Sequence, residues 1–204
     1  MPVNTNGSTA TLADFIWKNA EDLWGDFKHT DFGKVILPFT LLRRLECVLE
    51  PTRQAVRDAY ALHKSSDIDV DLILRQTAGY PFYNTSEYTL ATLGGTKTRQ
   101  NLQDYIAQFS ENARVIFEQF DFTNTVIRLD KAGLLFKICQ NFAGIDLHPA
   151  AVPDRAMSNV YEHLIRRFGA EVNEGEQADV LQARARTLFP DLHLHRPVGR
   201  PRRP

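Results

Sequence analysis

Residues 33–50 read GKVILPFTLLRRLECVLE, and the fold class follows from this stretch. Its spacing predicts a helix with apolar side chains on most sides, whereas a surface helix carries a single apolar stripe. A helix that is apolar nearly all round belongs in the middle of a bundle of helices. Pro38 predicts either a kink in this helix or its first turn, because proline has no N–H to donate.

Helical periodicity also appears on both sides of the central helix. The other predicted helices are 12–26, 51–64, about 67–74, one from 98 through 109, one from 123 or 124, 132–142 and 154–168. Whether the helix from 98 ends near 109 or continues to 117 is left open by the spacing. Thr11, Thr98 and Asp154 are the predicted N-caps, and Gly169 is placed to end the last helix. Residues 79–97 are rich in turn-forming residues, so any strand or hairpin lies there. The sequence therefore predicts a mainly α fold, a helical bundle with a loop-rich middle segment.

Composition and charge exclude several classes of protein. The chain has 204 residues, a formal net charge of −1, 43% hydrophobic and 24% charged residues, which is ordinary for a soluble globular domain and unlike disordered, collagen-like or disulfide-rich chains. This net charge also excludes a strongly basic protein that coats nucleic acid, although it allows a local basic face.

Cys47 and Cys139 lie in apolar stretches, which predicts buried thiols in a reducing compartment rather than a disulfide.

No segment predicts a membrane span or a secretory leader. The longest apolar run, 35–42, is interrupted by Pro38 and Thr40 and is far shorter than the roughly 18 residues that a span requires. The first residues are polar and uncharged, without the basic start and apolar stretch of a signal peptide. We therefore expect a cytoplasmic protein.

The sequence offers little support for catalysis. Gly94–Gly95 stands alone, without the spaced glycines that allow a backbone to wrap a phosphate. No Gly-x-Ser-x-Gly elbow occurs, so a hydrolase nucleophile lacks local support. His193 and His195 are metal-ligand residue types, but no cysteine or carboxylate cluster accompanies them. We therefore expect no catalytic residue, no cofactor-binding residue and no metal site in this chain.

Three basic residues of the central helix are candidate contacts to a partner or to DNA: Lys34, Arg43 and Arg44. The two arginines lie in its most apolar part, where an unpaired buried charge costs several kcal/mol. Each must therefore reach a carboxylate, the solvent or a phosphate. The carboxylates that the sequence offers are Glu46, Glu50 and Asp31. Internal pairing and a phosphate contact both remain open at this point.

The composition changes after about Ala178. Residues 179–204 contain six arginines, no lysine, two aspartates and four prolines, a net charge of +4 that leaves −5 for residues 1–178. The last part of this segment, 190–204, cannot bury enough apolar surface to order itself, so we predict that it is disordered.

Several motifs, in order along the chain, resemble one known family. Residues 15–25 (FIWKNAEDLWG) and 34–46 (KVILPFTLLRRLE) resemble the N-terminal helical domain of the methyltransferase (modification) subunit of type I restriction–modification systems. Shorter matches are YNTS at 83–86, IFEQFDF at 116–122, Leu134–Leu135, IDLHP at 145–149 and MSNVYEHLIRRF at 157–168. The resemblance covers about residues 12–176.

The resemblance implies a domain layout and a function. It implies a flexible lead over 1–10, an N-terminal helical domain over 11–150, the first helix of the catalytic-domain region over 151–176 and a divergent Arg/Pro-rich tail over 177–204. The intact family member is a site-specific DNA adenine-N6 methyltransferase that uses S-adenosylmethionine. Its partners are a specificity subunit, a restriction (motor nuclease) subunit and DNA. In this layout the helical domain docks on the specificity subunit and on DNA, with Lys34, Arg43 and Arg44 as candidate contacts.

The chain departs from the family after NEGE at 173–176. The family continues into a cofactor loop of the type DPxxGxGG and an adenine-binding NPPF motif, and neither occurs here. We therefore expect a chain truncated before the α/β methyltransferase domain and inactive by itself, since the flipped adenine would lack the groups that hold it. A shifted reading frame from about residue 177 is one explanation. The alternatives are a stand-alone helical interaction module and a non-functional product of a truncated gene.

Overall fold

The computed structural model describes residues 9–65 and 69–171, and within them the chain is mainly helical. The helices are α1 (Thr9–Trp17), α2 (Phe32–Leu49), α3 (Arg53–His63), α4 (Val70–Ala78), α5 (Thr98–Ala107), α6 (Glu111–Gln119), α7 (Phe122–Lys131), α8 (Leu135–Ala143) and α9 (Asp154–Glu171). Short 3₁₀ helices cover Lys18–Leu23, His29–Asp31, Glu50–Thr52 and Leu90–Thr92. These ranges contain isolated bridges but no strand. The predicted fold class, a mainly α helical bundle, is confirmed.

Helix α2 occupies the centre of the bundle, as its apolar sequence predicts. Almost all of its side chains are buried, and they belong to one hydrophobic core shared with the other helices. Pro38 lies well inside α2 and not in its first turn. The hydroxyl of Thr40 donates to the carbonyl of Ile36 at 2.7 Å, and the hydroxyl of Tyr161 in α9 donates to the carbonyl of Leu37 at 3.3 Å. The carbonyls of Ile36 and Leu37 therefore each accept a hydrogen bond from a side-chain hydroxyl.

Helix α9 packs antiparallel to α2. Near the start of α2, the position of a Cβ on Gly33 lies 3.1 Å from Cγ of Phe168, while near its other end Arg44 pairs with Asp154 at the start of α9. Met157, Val160 and Leu164 of α9 are buried in the core. The helix assigned from sequence to the catalytic-domain region thus shares the core of the preceding helices, while the boundary at residue 151 stays a prediction.

Helices α3 and α4 pack mainly on each other. Asp69 begins α4 by accepting a hydrogen bond from the N–H of Leu72 at 3.2 Å, and Gly79 ends it with a φ of +72°, a left-handed conformation that glycine adopts without strain. The buried side chains in the two helices are Val56, Leu74 and Ala78. The rest of this helical hairpin is partly or fully exposed.

The ends of two predicted helices are set by hydrogen bonds outside the helical pattern. The predicted helix 12–26 starts by Thr9, so Thr11 is not its N-cap, and it tightens into a 3₁₀ helix after Trp17. There Asn19 Nδ2 donates to the carbonyl of Ile16 at 3.0 Å, a local bond that favours the end of a helix. The helix from 98 does not continue toward 117. Instead, the chain turns between α5 and α6, where the N–H of Ser110 donates to the carbonyl of Tyr83 at 3.0 Å.

Three smaller corrections concern the predicted caps and starts. Thr98 does not cap α5, because its hydroxyl donates to the carbonyl of Gly94 at 2.6 Å. Helix α7 begins at Phe122, before the predicted Thr123 or Asn124, after Asp121 adopts a positive φ of 52°. Gly169 does not end α9, which is helical through Glu171.

Other expectations concern burial and the ends of the chain. Cys47 and Cys139 are buried free thiols, as predicted. No helix in the described ranges is long and apolar enough to cross a membrane. The predicted lead and the predicted tail at 177–204 lie outside the described residues, apart from the start of α1.

Candidate functional site

The three candidate residues of α2 occupy three different environments. Lys34 and Arg44 are separated by about 15 Å along the helix, from a rise of roughly 1.5 Å per residue. Arg43 and Arg44 are neighbours in sequence, and both donate to carbonyls of the segment between α8 and α9, whereas Lys34 lies at the surface near the start of α2. The structure therefore does not bring the three residues together into one site.

Arg44 lies in the interior, with a side chain that is 0% exposed. Its Nη1 donates to the carbonyls of Leu147 and Val152, the latter at 2.8 Å. Its Nη2 lies 2.5 Å from Oδ1 of Asp154, the first residue of α9. The guanidinium thus fixes the segment between α8 and α9. Asp154, which the sequence predicts as a helix cap, is the partner of Arg44, and it was not among the carboxylates expected to pair with it.

Arg43 and Glu46 form a second network on the neighbouring side of α2. Arg43 Nε donates to the carbonyl of Ile145 at 2.7 Å, and its Nη1 donates to Oε1 of Glu46 at 2.5 Å. Oε2 of Glu46 accepts from the N–H of Leu90 at 2.7 Å and from the hydroxyl of Tyr105 at 2.9 Å. Internal pairing of Arg43 with Glu46, one of the two alternatives left open by the sequence, is therefore confirmed.

The Glu46 network also changes the acidity of Tyr105. Burial, and then the negative charge and hydrogen bond of Glu46, raise the pKa of Tyr105 well above its ordinary value of 10.0. The phenol therefore stays protonated as a donor to Glu46, and the two side chains join α2 to α5 and to the loop-rich segment. This arrangement serves the fold, because the carboxylate is buried and its oxygens are occupied.

Lys34 has a surface position. Its side chain is 53% exposed, and its Nζ lies 3.1 Å from Oδ1 of Asp31. Arg128 of α7 approaches the other oxygen of Asp31 at 3.0 Å. Burial tends to raise the pKa of Asp31, but the hydrogen bonds from Lys34 and Arg128 outweigh it and lower the pKa. One carboxylate therefore connects two exposed cations from different helices.

An aromatic cluster lies beside these cations. The rings of Trp24 and His29 are 5.1 Å apart, the rings of Trp24 and Phe32 are 5.6 Å apart, and Trp17 stacks on Phe168 at 4.7 Å. Trp24 is nevertheless 63% exposed, whereas the rest of the cluster is half-buried or buried. The cluster was not predicted from sequence, because a continuous helix over 12–26 placed both tryptophans on a helix flank.

A second basic contact occurs at the end of α9. The Arg167 guanidinium lies 4.0 Å from the ring centre of Trp17, and its Nη1 donates to Oδ1 of Asp14 at 2.7 Å. Arg167 is not in the last turn of α9, which continues through Glu171 and has no basic residue in that turn, so an interaction with the helix dipole does not explain it. The structure adds a specific tertiary role, in which Arg167 joins α9 to α1.

Within the described residues, 9–65 and 69–171, no three His, Cys, Asp or Glu side chains are placed to hold a metal ion. S-adenosylmethionine requires a glycine-rich loop in the family that the chain resembles, and the carbonyl of Gly94 instead accepts from Thr98 within its own turn. We derive no step of methyl transfer from these residues.

The fold and its internal networks define a class, a mainly α-helical bundle domain built around one apolar helix. Residues 12–142 match the HsdM N-terminal domain. The chain therefore belongs to this family, the N-terminal domain of the modification subunit of type I restriction–modification methyltransferases, and the resemblance noted in the sequence is confirmed. No curated protein and no solved structure matches the chain.

Proposed function

We propose that this chain acts as a docking domain in a type I restriction–modification complex, where it contacts the specificity subunit and DNA. The observation that carries the proposal is the match to the HsdM N-terminal domain over residues 12–142, since domains of this family are parts of such complexes. A restriction subunit would join the same assembly through the modification and specificity subunits. S-adenosylmethionine and adenine-N6 methylation would belong to the intact enzyme.

The packing of α9 supports a docking role. In the proposed layout, α9 leads from the helical domain toward the catalytic region. Its start is fixed to α2 by the Arg44–Asp154 pair, and its end packs through Phe168 against Trp17 and Gly33. The direction in which the chain leaves the domain is therefore fixed at two points, which positions whatever follows it.

The environments of the candidate residues suggest different roles within this function. Arg44 is buried and Arg43 has partners in its own chain, which supports a role in holding the domain together. Lys34 is exposed and paired only at the surface, so it is the candidate whose position supports an external contact. A contact of any of the three with DNA or a partner stays a prediction.

The proposal is tested by co-expressing the full chain with an affinity-tagged specificity subunit from a type I system of the same organism. We expect both chains to elute together in size-exclusion chromatography after affinity capture. A specificity subunit from an unrelated type I system is the control, and it should not retain the chain. A folded chain, verified by circular dichroism, that elutes alone in both experiments would overturn the proposal.

The same experiment distinguishes a domain that binds the specificity subunit from a non-functional product of a truncated gene. A stand-alone interaction module is favoured by one observation, namely that the core extends through Phe168 within this chain. Such a module elutes with the specificity subunit without any catalytic chain present. A non-functional product of a truncated gene binds neither subunit, and its exposed apolar side chains cause it to aggregate.

A further inference from the structure

We propose that one face of the bundle binds the phosphate backbone of DNA, and we call it the basic face: Trp24, Lys28, Lys34, Arg128 and Lys131. The proposal rests on the DNA contact in the proposed function and assigns a surface to it. Residues from three separate parts of the sequence form this face, namely the turn before α2, α2 itself and α7.

The cations of the basic face are brought together by packing. The Arg128 guanidinium lies over the ring of Phe27, 4.6 Å from its centre. Lys28 is the next residue in the chain after Phe27. Arg128 and Lys34 share the carboxylate of Asp31. Lys131 is exposed and lies three residues after Arg128 on α7, a spacing that puts both side chains on the same side of a helix.

The balance of charge on this face favours an anion. The segments that form the face also carry the carboxylates of Asp26, Asp31 and Asp130, and Asp130 pairs with Arg99 outside the face. Four cations therefore stand against Asp26 and Asp31, and neither Lys28 nor Lys131 has a carboxylate partner in the described part of the chain. The face is therefore positive, although residues 1–178 carry a net charge of −5. A positive face on a chain of negative net charge attracts phosphates more strongly than the rest of the protein surface does.

Two features suit this face to a nucleic-acid backbone in particular. The Arg128 guanidinium is held flat on Phe27 and by Asp31, so a planar donor suited to phosphate is already oriented. Trp24 is exposed and held in place by its packing on His29 and Phe32. An exposed aromatic ring next to cations is the pattern with which proteins contact nucleic-acid sugars and bases beside bound phosphates.

A purely structural explanation accounts for part of the face only. Arg128 and Lys131 lie in the last turn of α7, where cations interact favourably with the helix dipole. That interaction does not involve Lys28, which precedes α2, and it does not explain an exposed Trp24. The two explanations therefore differ in what substitution of Lys28 and Lys131 does to DNA binding.

The test measures binding of the full chain to a short fluorescently labelled DNA duplex by anisotropy, over a series of salt concentrations. The double variant Lys28→Ala/Lys131→Ala is compared with Lys64→Ala/Lys97→Ala, which removes two exposed lysines from the end of α3 and the start of α5. We expect the first variant to weaken binding roughly tenfold and to reduce the salt slope by about two, because each phosphate contact contributes about one. The control variant should bind like the unmodified chain.

The outcomes separate the two proposals. If the unmodified chain does not bind DNA at all, the DNA contact in the proposed function fails, and the basic face fails with it. If the unmodified chain binds DNA and the first variant binds equally well with the same salt slope, the basic face is wrong, while the proposed function stands. A loss of thermal stability without a change in DNA affinity also overturns the basic face, and it assigns Lys131 to the dipole of α7.

A second measurement uses Trp24 as a reporter. In the variant Trp17→Phe, Trp24 is the remaining tryptophan of the chain, so its fluorescence reports on the basic face alone. We expect added DNA to quench this fluorescence. Quenching by the specificity subunit and not by DNA would show that the face contacts a protein, which would overturn the inference.

Discussion

At the scale of single residues, Arg44 shows how a buried arginine can be explained without a ligand. Its side chain is 0% exposed, and it reaches two carbonyls and one carboxylate of its own chain. The cost of taking a guanidinium out of water is offset by these charge-assisted bonds. Periodicity indicated that Arg44 needed a partner, but it offered only carboxylates near in sequence, whereas Asp154 is 110 residues away.

We predict that Arg44→Ala destabilises the domain by on the order of 3 kcal/mol, because it leaves two buried carbonyls unsatisfied and opens a cavity. Urea unfolding followed by circular dichroism measures the change. Arg166→Ala is the control, since the Arg166–Glu162 pair lies at the surface, and it should cost less than about 1 kcal/mol. Equal losses for the two variants would contradict an internal role for Arg44.

A second residue-scale prediction concerns Tyr105. Tyr105→Phe removes a hydroxyl that donates to the buried carboxylate of Glu46, so the free energy of unfolding should fall by about 2 kcal/mol, as for a hydrogen bond to a charged group. Thermal unfolding detects the loss. Tyr60→Phe is the matched control, because Tyr60 is exposed on α3, and an identical effect there would argue against the Glu46 network.

At the scale of elements, the packing of α9 on α2 depends on the absence of a side chain at Gly33. We predict that Gly33→Ala destabilises the domain by about 1 kcal/mol, although alanine is the better helix former. The added Cβ would lie 3.1 Å from Cγ of Phe168, whose ring is already stacked on Trp17 and has little room to move.

A double-mutant cycle in thermal unfolding tests this packing. Phe168→Ala removes the approach to Cγ at 3.1 Å and keeps the contact with the Cβ of residue 168 at 3.3 Å. In this background Gly33→Ala should therefore cost clearly less than in the unmodified chain. Gly144→Ala is the control at the end of α8, where the added Cβ would meet only ordinary contacts at 3.5 Å and beyond. If Gly33→Ala costs the same with and without Phe168, the close approach of the helices is not its cause.

Helix locations were predictable from sequence to a greater extent than helix ends. The central helix was expected at 33–50 and is found at Phe32–Leu49, because a long apolar period is a strong local signal. Helix α4 was expected from about residue 67 and starts at Val70, after Asp69 caps it. The ends that differ, after Trp17 and between α5 and α6, are set by a side-chain bond of Asn19 and by a backbone bond from Ser110 to Tyr83, and such competing bonds leave no periodic signal.

At the scale of the whole molecule, buried phenol and thiol groups predict how the free energy of unfolding changes at alkaline pH. Burial raises the pKa of Tyr105 and Tyr161 well above 10.0, and it raises the pKa of Cys139 from 9.0 to about 12. The unfolded chain loses these protons near the ordinary values, whereas the folded chain keeps them. Stability contributed by these groups is therefore complete below about pH 9 and falls as the pH rises further.

The measurement is the free energy of unfolding in urea between about pH 8 and pH 11. We expect the free energy of unfolding to decline above about pH 9 and to decline more steeply above about pH 10. Each buried group contributes at most about 1.4 kcal/mol per pH unit to this slope. Tyr161→Phe should reduce the slope, because its phenol is one of the buried groups. A stability that stays level to pH 11 would mean that these side chains ionise in the folded state.

The sequence by itself determined the helical class, the central position of α2, the two buried thiols and the family, because apolar periodicity and ordered motifs are properties of the chain alone. It also identified the basic residues of α2, but not which of them face the solvent. Only the tertiary structure decided that Arg44 meets Asp154, that Arg43 and Tyr105 share Glu46, and that Lys34 lies with Arg128. These pairs join residues on different helices or on successive helical turns, and their formation depends on how the helices pack, which periodicity does not encode.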